Sequence, residues 1–311
     1  MTVAGELRFD SDVVIVTGAG RGLGREYAAL LASRGAAILV NDVDIEQAKA
    51  VAEEITRNGG RAEYNSDDVS DSLGAARIVD SALQAFGKLT TVINNAGIID
   101  FAPIEQITDA QWRRMLSVTL DGTFFMCRAV WPVFKRQGFG VIVNTTSNAG
   151  FAGNETLVHY GAAKLGVAGL TKALAQEGAP LNIRVNAVAP MAVTRMNRDH
   201  FFGGAVSEGE DWRDDIRDGK VPMGPPAAVS PTVAWLAHRD TSVNGRIYSS
   251  SSGKVARVAF IVGEGWFDPH HSPENLVAHQ TELDELGAFC DPGSTSDELA
   301  LIPPLYAERI K

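Results

Sequence analysis

The sequence predicts an α/β fold: a doubly wound parallel sheet in a single domain, followed by a C-terminal extension. Three observations carry this. Apolar β-branched runs alternate with helical stretches up to residue 253, the pattern of repeated βαβ units. The strand runs lack polar alternation, as strands buried on both faces do. A glycine-rich turn closes the first strand.

Each element follows from local signals. Val13 to Val16 is a strand that runs into Thr17 to Gly20. Arg25 to Arg34 reads as a helix stopped by Gly35. Ala37 to Val40 is a second strand, ending at Asn41 and Asp42. Glu46 to Arg57 is helical and Asn58 to Gly60 stops it, and Ala62 to Asn65 is a short strand. Ser70 is placed to cap a helix reaching Phe86, with Gly87 behind it. Leu89 to Ile93 is a strand, and Asp109 to Arg136 is one long amphipathic helical stretch. Val141 to Thr145 and Ile183 to Val188 are strands flanking a helix from Leu157 to Glu177. The pattern breaks from 191 to 228, with Gly203, Gly204, a charge run from Glu208 to Lys220, and Pro222, Pro225 and Pro226. It follows a strand's carboxyl end, where open α/β sheets bind ligands, so it reads as a substrate lid. Phe201 and Phe202 read as an apolar patch on that lid, and the charge run as a solvated face. Pro231 to His238 is a short helix and Arg246 to Tyr248 a last strand. The division expected is 1–253 for the main domain and 254–311 for the extension. The extension reads as a strand from Val255 to Val262, then a helix with Ser272 at N-cap, Pro273 at N1 and Glu274 behind. Its apolar residues imply packing on the core or on a neighbouring subunit.

Composition narrows the function. The 311 residues are 45% hydrophobic and 21% charged, which excludes disorder and collagen. A net charge of −10 argues against nucleic acid or an anionic membrane as main partner. Two cysteines, Cys127 and Cys290, rule out a disulfide framework and fit a reducing cytoplasm. The first residues lack a signal peptide's basic start and apolar core, so the expected location is cytoplasmic. His270 and His271 are adjacent beside Pro269 and read as a solvated turn, not metal ligands; no metal is expected. Trp266 and Phe267 read as cover for an edge strand or a subunit contact, and His159 as packing on its helix.

Thr17 to Gly24 spells TGxxxGxG between the first strand and first helix. Glycines there let a backbone approach a pyrophosphate lodged at the helix N-terminus. Asp42 lies eighteen residues after Gly24, at the end of the second strand. A carboxylate there accepts both ribose hydroxyls of NAD and repels a 2′-phosphate. Arg21 pulls the other way, but one exposed cation returns less than that repulsion costs. Asp68 and Val69 follow the third strand and suit an adenine amino group. Tyr160 and Lys164 lie at i and i+4 on one helix face. A nearby cation stabilises a phenolate and lowers a tyrosine pKa from its usual value near 10. Ser147, thirteen residues upstream at a strand end, is placed to hold a substrate oxygen.

The TGxxxGxG loop, Asn94 to Gly97, Ser147 and Tyr160-x-x-x-Lys164 resemble the short-chain dehydrogenases/reductases in order and spacing, over roughly residues 9 to 253. The resemblance implies a Rossmann-type fold and hydride transfer between a carbinol carbon and nicotinamide. It implies Tyr160 as acid/base, Lys164 lowering its pKa while bonding the nicotinamide ribose, and Ser147 orienting the substrate oxygen. It implies that Gly18, Gly22 and Gly24 shape the pyrophosphate loop, with Arg21 and Leu23 among the cofactor-binding residues. Asn95, Ala96 and Gly97 would line the adenosine ribose, and Pro190, Val193 and Thr194 would approach the carboxamide. Two positions depart from the family pattern: Thr119 stands where a helix Asn often completes a proton relay, and Pro190-Met191 replaces Pro-Gly.

Arg8 to Asp10, Gly18 to Gly24, Asn41-Asp42, Trp131-Pro132, Val143 to Ser147 and Ala189 to Met196 further resemble one group. It comprises the (3R)-hydroxyacyl-CoA/17-beta-hydroxysteroid dehydrogenase domains of peroxisomal multifunctional enzymes and their bacterial single-domain relatives. That implies a bulky hydrophobic secondary alcohol, an acyl-CoA thioester or a steroid, with NAD as cofactor. The final Glu308 to Lys311 is not a peroxisomal address. The family habit and the many-sided apolar helices imply a homodimer or homotetramer. Two other readings compete. An NADPH-dependent 3-oxoacyl carrier-protein reductase is opposed by Asp42 and the acidic charge. A non-catalytic dinucleotide sensor has no need of the Ser147, Tyr160 and Lys164 set.

Overall fold

The computed structural model describes residues 5–196, 212–219 and 223–309. The apolar runs form strands buried along their whole length: β1 (Val13–Thr17), β2 (Ala37–Asn41), β4 (Thr91–Asn94) and β5 (Gly140–Thr145). With β3 (Arg61–Asn65), β6 (Ile183–Pro190), β7 (Ile247–Ser251) and β8 (Lys254–Val258) they make one eight-stranded sheet, ordered 3-2-1-4-5-6-7-8. Every pairing from β3 across to β7 is parallel. Ser252 and Gly253 join β7 to β8 at φ of 50° and 86°. Two successive positive φ values are those of a tight two-residue hairpin, so β8 turns back along the edge.

The alternation within each strand divides two cores. Val14, Val16, Ile38 and Val40 face α1 (Gly22–Ser33), α2 (Ile45–Arg57) and the helix Ser230–Ala237. Val13, Ile15, Ala37 and Leu39 face α3 (Ser72–Phe86), α5 (Gly122–Gln137) and the C-terminal part of α7 (Val158–Gly178). Burial on both faces explains why these strands carry no polar alternation.

Several boundaries differ from the sequence reading. α1 begins at Gly22, three residues before Arg25, because the glycine turn itself enters the helix. Asp71, not Ser70, caps α3, accepting from the backbone N–H groups of Leu73 and Gly74. The stretch 109–136 is not one regular helix. α4 (Asp109–Leu116) passes through a π-helical turn, Ser117–Asp121, into α5. A four-residue helix, α6 (Asn148–Phe151), comes directly after Ser147 and is too short to show a period. Phe201, Phe202 and the two ends of the charge run, 208–211 and Lys220, lie outside the described residues, while Trp212–Arg217 within it is helical.

The chain forms two compact units that divide after Arg257. The strand expected over 255–262 is split: β8 ends at Val258, and β9 (Val262–Gly263) pairs antiparallel with β10 (Phe289–Cys290). Within this second unit Ser272 caps the helix Pro273–Ala278 in a capping box with Asn275. Trp266 stacks on the His279 ring at 4.3 Å.

Among the described residues several buried side chains carry a polar atom without a hydrogen-bond partner, Tyr27 among them. Tyr27 on α1 is fully buried, and its hydroxyl has no hydrogen-bond partner among the described residues. Burial holds its phenol far above the usual tyrosine range. A buried unpaired hydroxyl costs more than an apolar atom of the same shape. Tyr27→Phe should therefore raise the unfolding free energy by about 1 kcal/mol, read as a higher urea midpoint at unchanged m-value.

Candidate active site

The strand order reverses between β1 and β4, so the loops leaving their carboxyl ends diverge and open a crevice. Thr17 and Asn95 fix its width. Thr17 Oγ1 accepts from the backbone N–H groups of Asn95 and Ala96, each at 3.1 Å. The Asn95 amide donates to the carbonyls of Thr17 and Gly18, each at 3.0 Å. Asn95, expected at the adenosine ribose, thus spends its amide on stitching the two loops together.

The glycine loop is built for close approach. Gly18 sits at φ 62°, and a Cβ there would lie 2.8 Å from Ala96 Cα. A Cβ on Gly24 would lie 2.4 Å from the Gly18 carbonyl. Leu23 packs on the core beneath. α1 follows directly on the glycine loop and starts with no side-chain cap on its first N–H groups. Such an N-terminus holds a phosphate, so these residues fit a dinucleotide's pyrophosphate.

Asp42 stands at the rim of the crevice, at the end of β2. Its Oδ2 accepts from Gly20 N–H at 3.0 Å and its Oδ1 from Asp44 N–H at 3.1 Å. Arg21, weighed above as a phosphate holder, is ion-paired with Asp44. Asp68 is exposed and accepts from Ser70 N–H, while Val69 is buried against Gly122. Pro190 ends β6, with Val193 N–H donating to the Gly224 carbonyl beyond it. Thr194 is half-buried in the same stretch.

Ser147, Tyr160 and Lys164 meet beside this crevice. Ser147 caps α6 and hydrogen-bonds the Tyr160 side chain. Lys164 Nζ lies 5.8 Å from the centre of the Tyr160 ring. A Cβ on Gly97 would fall 3.4 Å from Lys164 Nζ and 3.7 Å from Thr119 Oγ1. The electrostatics differ from the expectation that Lys164 lowers the Tyr160 pKa. Burial pushes the Tyr160 phenol up, and the Ser147 hydrogen bond draws it part of the way back. Lys164 is itself buried, and desolvation pushes its ammonium down to about 8. At 5.8 Å from the ring centre, a desolvated cation does not outweigh the loss of water around the phenol.

Sequence reasoning missed two residues. Asp44 was one, since an ion pair with a residue 23 positions away leaves no local pattern. Thr146 was the other. Its buried hydroxyl donates to the Lys164 carbonyl at 2.6 Å, while Lys164 Nζ donates to the Thr145 carbonyl at 2.7 Å. Two reciprocal bonds therefore clamp α7 to the end of β5. His159 is fully buried, as expected, and Asp100 Oδ2 is 4.0 Å from its Nε2.

The family model described as short chain dehydrogenase matches residues 12–201. A short-chain type dehydrogenase/reductase of Mycobacterium tuberculosis is 39% identical over 284 residues, covering 88% of this chain and 94% of that protein. The peroxisomal hydratase-dehydrogenase-epimerase of Neurospora crassa is 33% identical over 313 residues, covering 96% of this chain. The chain spans only 33% of that larger protein. The solved structure of a 7α-hydroxysteroid dehydrogenase, complexed with NADH and 7-oxo glycochenodeoxycholic acid, superposes with a TM-score of 0.71 at 27% identity. It covers 81% of this chain and 98% of the other.

The depressed Lys164 pKa has a measurable consequence. The unfolded chain keeps that proton to about pH 10.4, whereas the folded protein releases it near 8. Between those values the unfolded state binds more protons, so wild-type stability rises with pH. Below pH 8 the cost of burying the cation is felt in full. Lys164→Met has no such titration. From pH 7 to pH 10.5 the stability difference between wild type and Lys164→Met should move in wild type's favour by up to about 3 kcal/mol. Denaturant titrations of the cofactor-free protein read this, and a pH-independent difference would contradict it.

Proposed function

The chain belongs to the short-chain dehydrogenase family, and on that premise we propose an NAD-dependent oxidoreductase that oxidises a secondary alcohol of a bulky hydrophobic substrate. The substrate class is a 3-hydroxyacyl-CoA or a hydroxysteroid. The observation that carries the reading is the meeting of Ser147, Tyr160 and Lys164 at the wall of a crevice whose loop fits a pyrophosphate. A binding module needs no half-buried phenol beside a buried ammonium.

Bound NAD supplies the hydride acceptor. Ser147 Oγ would hold the substrate oxygen, and the Tyr160 oxygen would take the carbinol proton. Lys164 stabilises the phenolate that must exist for that step, and the clamp through Thr145 and Thr146 keeps it in place. Asp42 supports NAD over NADP because its carboxylate sits at the rim, where a 2′-phosphate would meet it. The hydratase-dehydrogenase relative and the steroid-bound neighbour support the two substrate classes.

The same reading extends to assembly and place. Trp112, Phe124, Val158 and Leu165 are each at least 40% exposed on α4, α5 and α7. We take these apolar faces to join subunits into a homodimer or homotetramer, and sedimentation as a monomer at micromolar concentration would oppose it. No described helix is long and apolar enough to cross a membrane. A cytoplasmic location suits the free thiols Cys127 and Cys290.

The direct test is NADH formation by the purified protein with a panel of 3-hydroxyacyl-CoA thioesters and hydroxysteroids, each run with NAD and with NADP. Higher kcat/KM with NADP would remove the NAD assignment. Tyr160→Phe keeps the ring and removes the titrating oxygen. Its chemical step should slow by roughly 10²–10⁴-fold while NAD still binds, and a variant at near wild-type rate would remove the mechanism.

A further inference from the structure

We propose that Asp44 is a second determinant of nucleotide choice, acting by holding Arg21 away from the position of a 2′-phosphate. This rests on the dinucleotide reading of the crevice. Arg21 sits at the N-cap of α1, inside the glycine loop, with an extended backbone and a partly exposed side chain. A guanidinium there is the natural partner for a phosphate, because its planar donors match phosphate oxygens in pairs. In this protein it is already engaged: Arg21 Nη2 donates to Asp44 Oδ2.

Asp44 is held where it can do this. It caps α2, its Oδ1 accepting from Gln47 N–H at 3.4 Å. Its own N–H donates to Asp42 Oδ1, and Gly20 N–H donates to Asp42 Oδ2. Arg21, Asp44, Asp42 and Gly20 therefore form a closed ring joining the glycine loop to the end of β2. Two carboxylates and one guanidinium leave the ring with one net negative charge. Asp42 alone would leave Arg21 unopposed on its outer side, and the cation could swing to a 2′-phosphate at little cost. With Asp44 present, an incoming phosphate must compete with a carboxylate for the same donors. Both side chains of the pair are about two-fifths exposed (39% and 43%). The ion pair is therefore worth little to stability and is better understood as a device for discrimination.

The test is a binding cycle read by calorimetry, with NAD and NADP as the probes and no turnover required. Asp44→Asn is the chosen variant because asparagine still caps a helix, so α2 keeps its start while the charge is lost. The ratio of NADP to NAD affinity should rise about fivefold in Asp44→Asn. That gain should vanish when Arg21→Ala is added. An unchanged ratio in Asp44→Asn, or a gain that survives the loss of Arg21, would overturn the proposal. A wild type that binds NADP more tightly than NAD removes the NAD assignment instead, and the dependence of the gain on Arg21 still decides the role of Asp44. A loss of affinity for both nucleotides alike in Asp44→Asn marks a merely structural cap and also overturns it.

Discussion

The asparagine amide that ties the first strand's loop to the fourth strand's loop is the constraint on which the site depends. A parallel sheet that reverses its order must leave a gap at the reversal, because the two chains depart in opposite directions. Left alone, that gap would expose the carbonyls of Thr17 and Gly18 and the N–H groups of Asn95 and Ala96. One hydroxyl and one amide satisfy all four groups. The glycine loop is then fixed from behind, its outer face free for a phosphate. The need for glycine at position 24 has the same origin, since a Cβ there would strike both the Gly18 carbonyl and the Asn95 amide.

The second constraint is electrostatic. Lys164 is buried beside a half-buried phenol, and each is driven toward its neutral form by loss of water. The phenolate is therefore the less favoured form of Tyr160 in the cofactor-free protein, while Lys164 keeps its ammonium only up to about pH 8. The fold does not relieve this by solvation. It fixes the pair instead: Thr146 holds the helix backbone at Lys164, and the Thr145 carbonyl takes one of the ammonium's protons in a hydrogen bond. A positive charge arriving in the crevice would lower both pKa values and favour the phenolate.

Much of this was legible in the chain. The strands buried on both faces announced themselves by composition, and the glycine loop, Asp42, Ser147, Tyr160 and Lys164 by spacing. The features that escaped did so for physical reasons. Helix starts slipped where a turn residue was itself helical, as at Gly22, or where two adjacent polar residues could both cap, as at Ser70 and Asp71. Asp44 and Thr146 act through single long-range bonds, which have no period. The sign of the Tyr160 shift could not be read, because spacing places a cation nearby but says nothing of how much water is lost around the ring. The π-helical turn was hidden for a related reason, since Ser117 to Asp121 contains no proline and no glycine to mark it.

That turn bears on the position where the family often has asparagine. A π turn inserts one residue into the helix and rotates the later residues about the axis. Here it buries Thr119 completely, with its carbonyl accepting from Thr123 Oγ1 at 2.8 Å and its hydroxyl 3.6 Å from Met115 Sδ. The Thr119 hydroxyl thus turns along its own helix. Between it and Lys164 Nζ lies the space beside Gly97, which a single added Cβ would occupy, 3.7 Å from one and 3.4 Å from the other. Glycine at 97 keeps that space open, and a longer side chain at 119 would be needed to cross it. The threonine and the glycine are therefore best understood together: the shorter residue leaves a gap on the Lys164 side of the site, and the glycine ensures that nothing from the facing loop closes it.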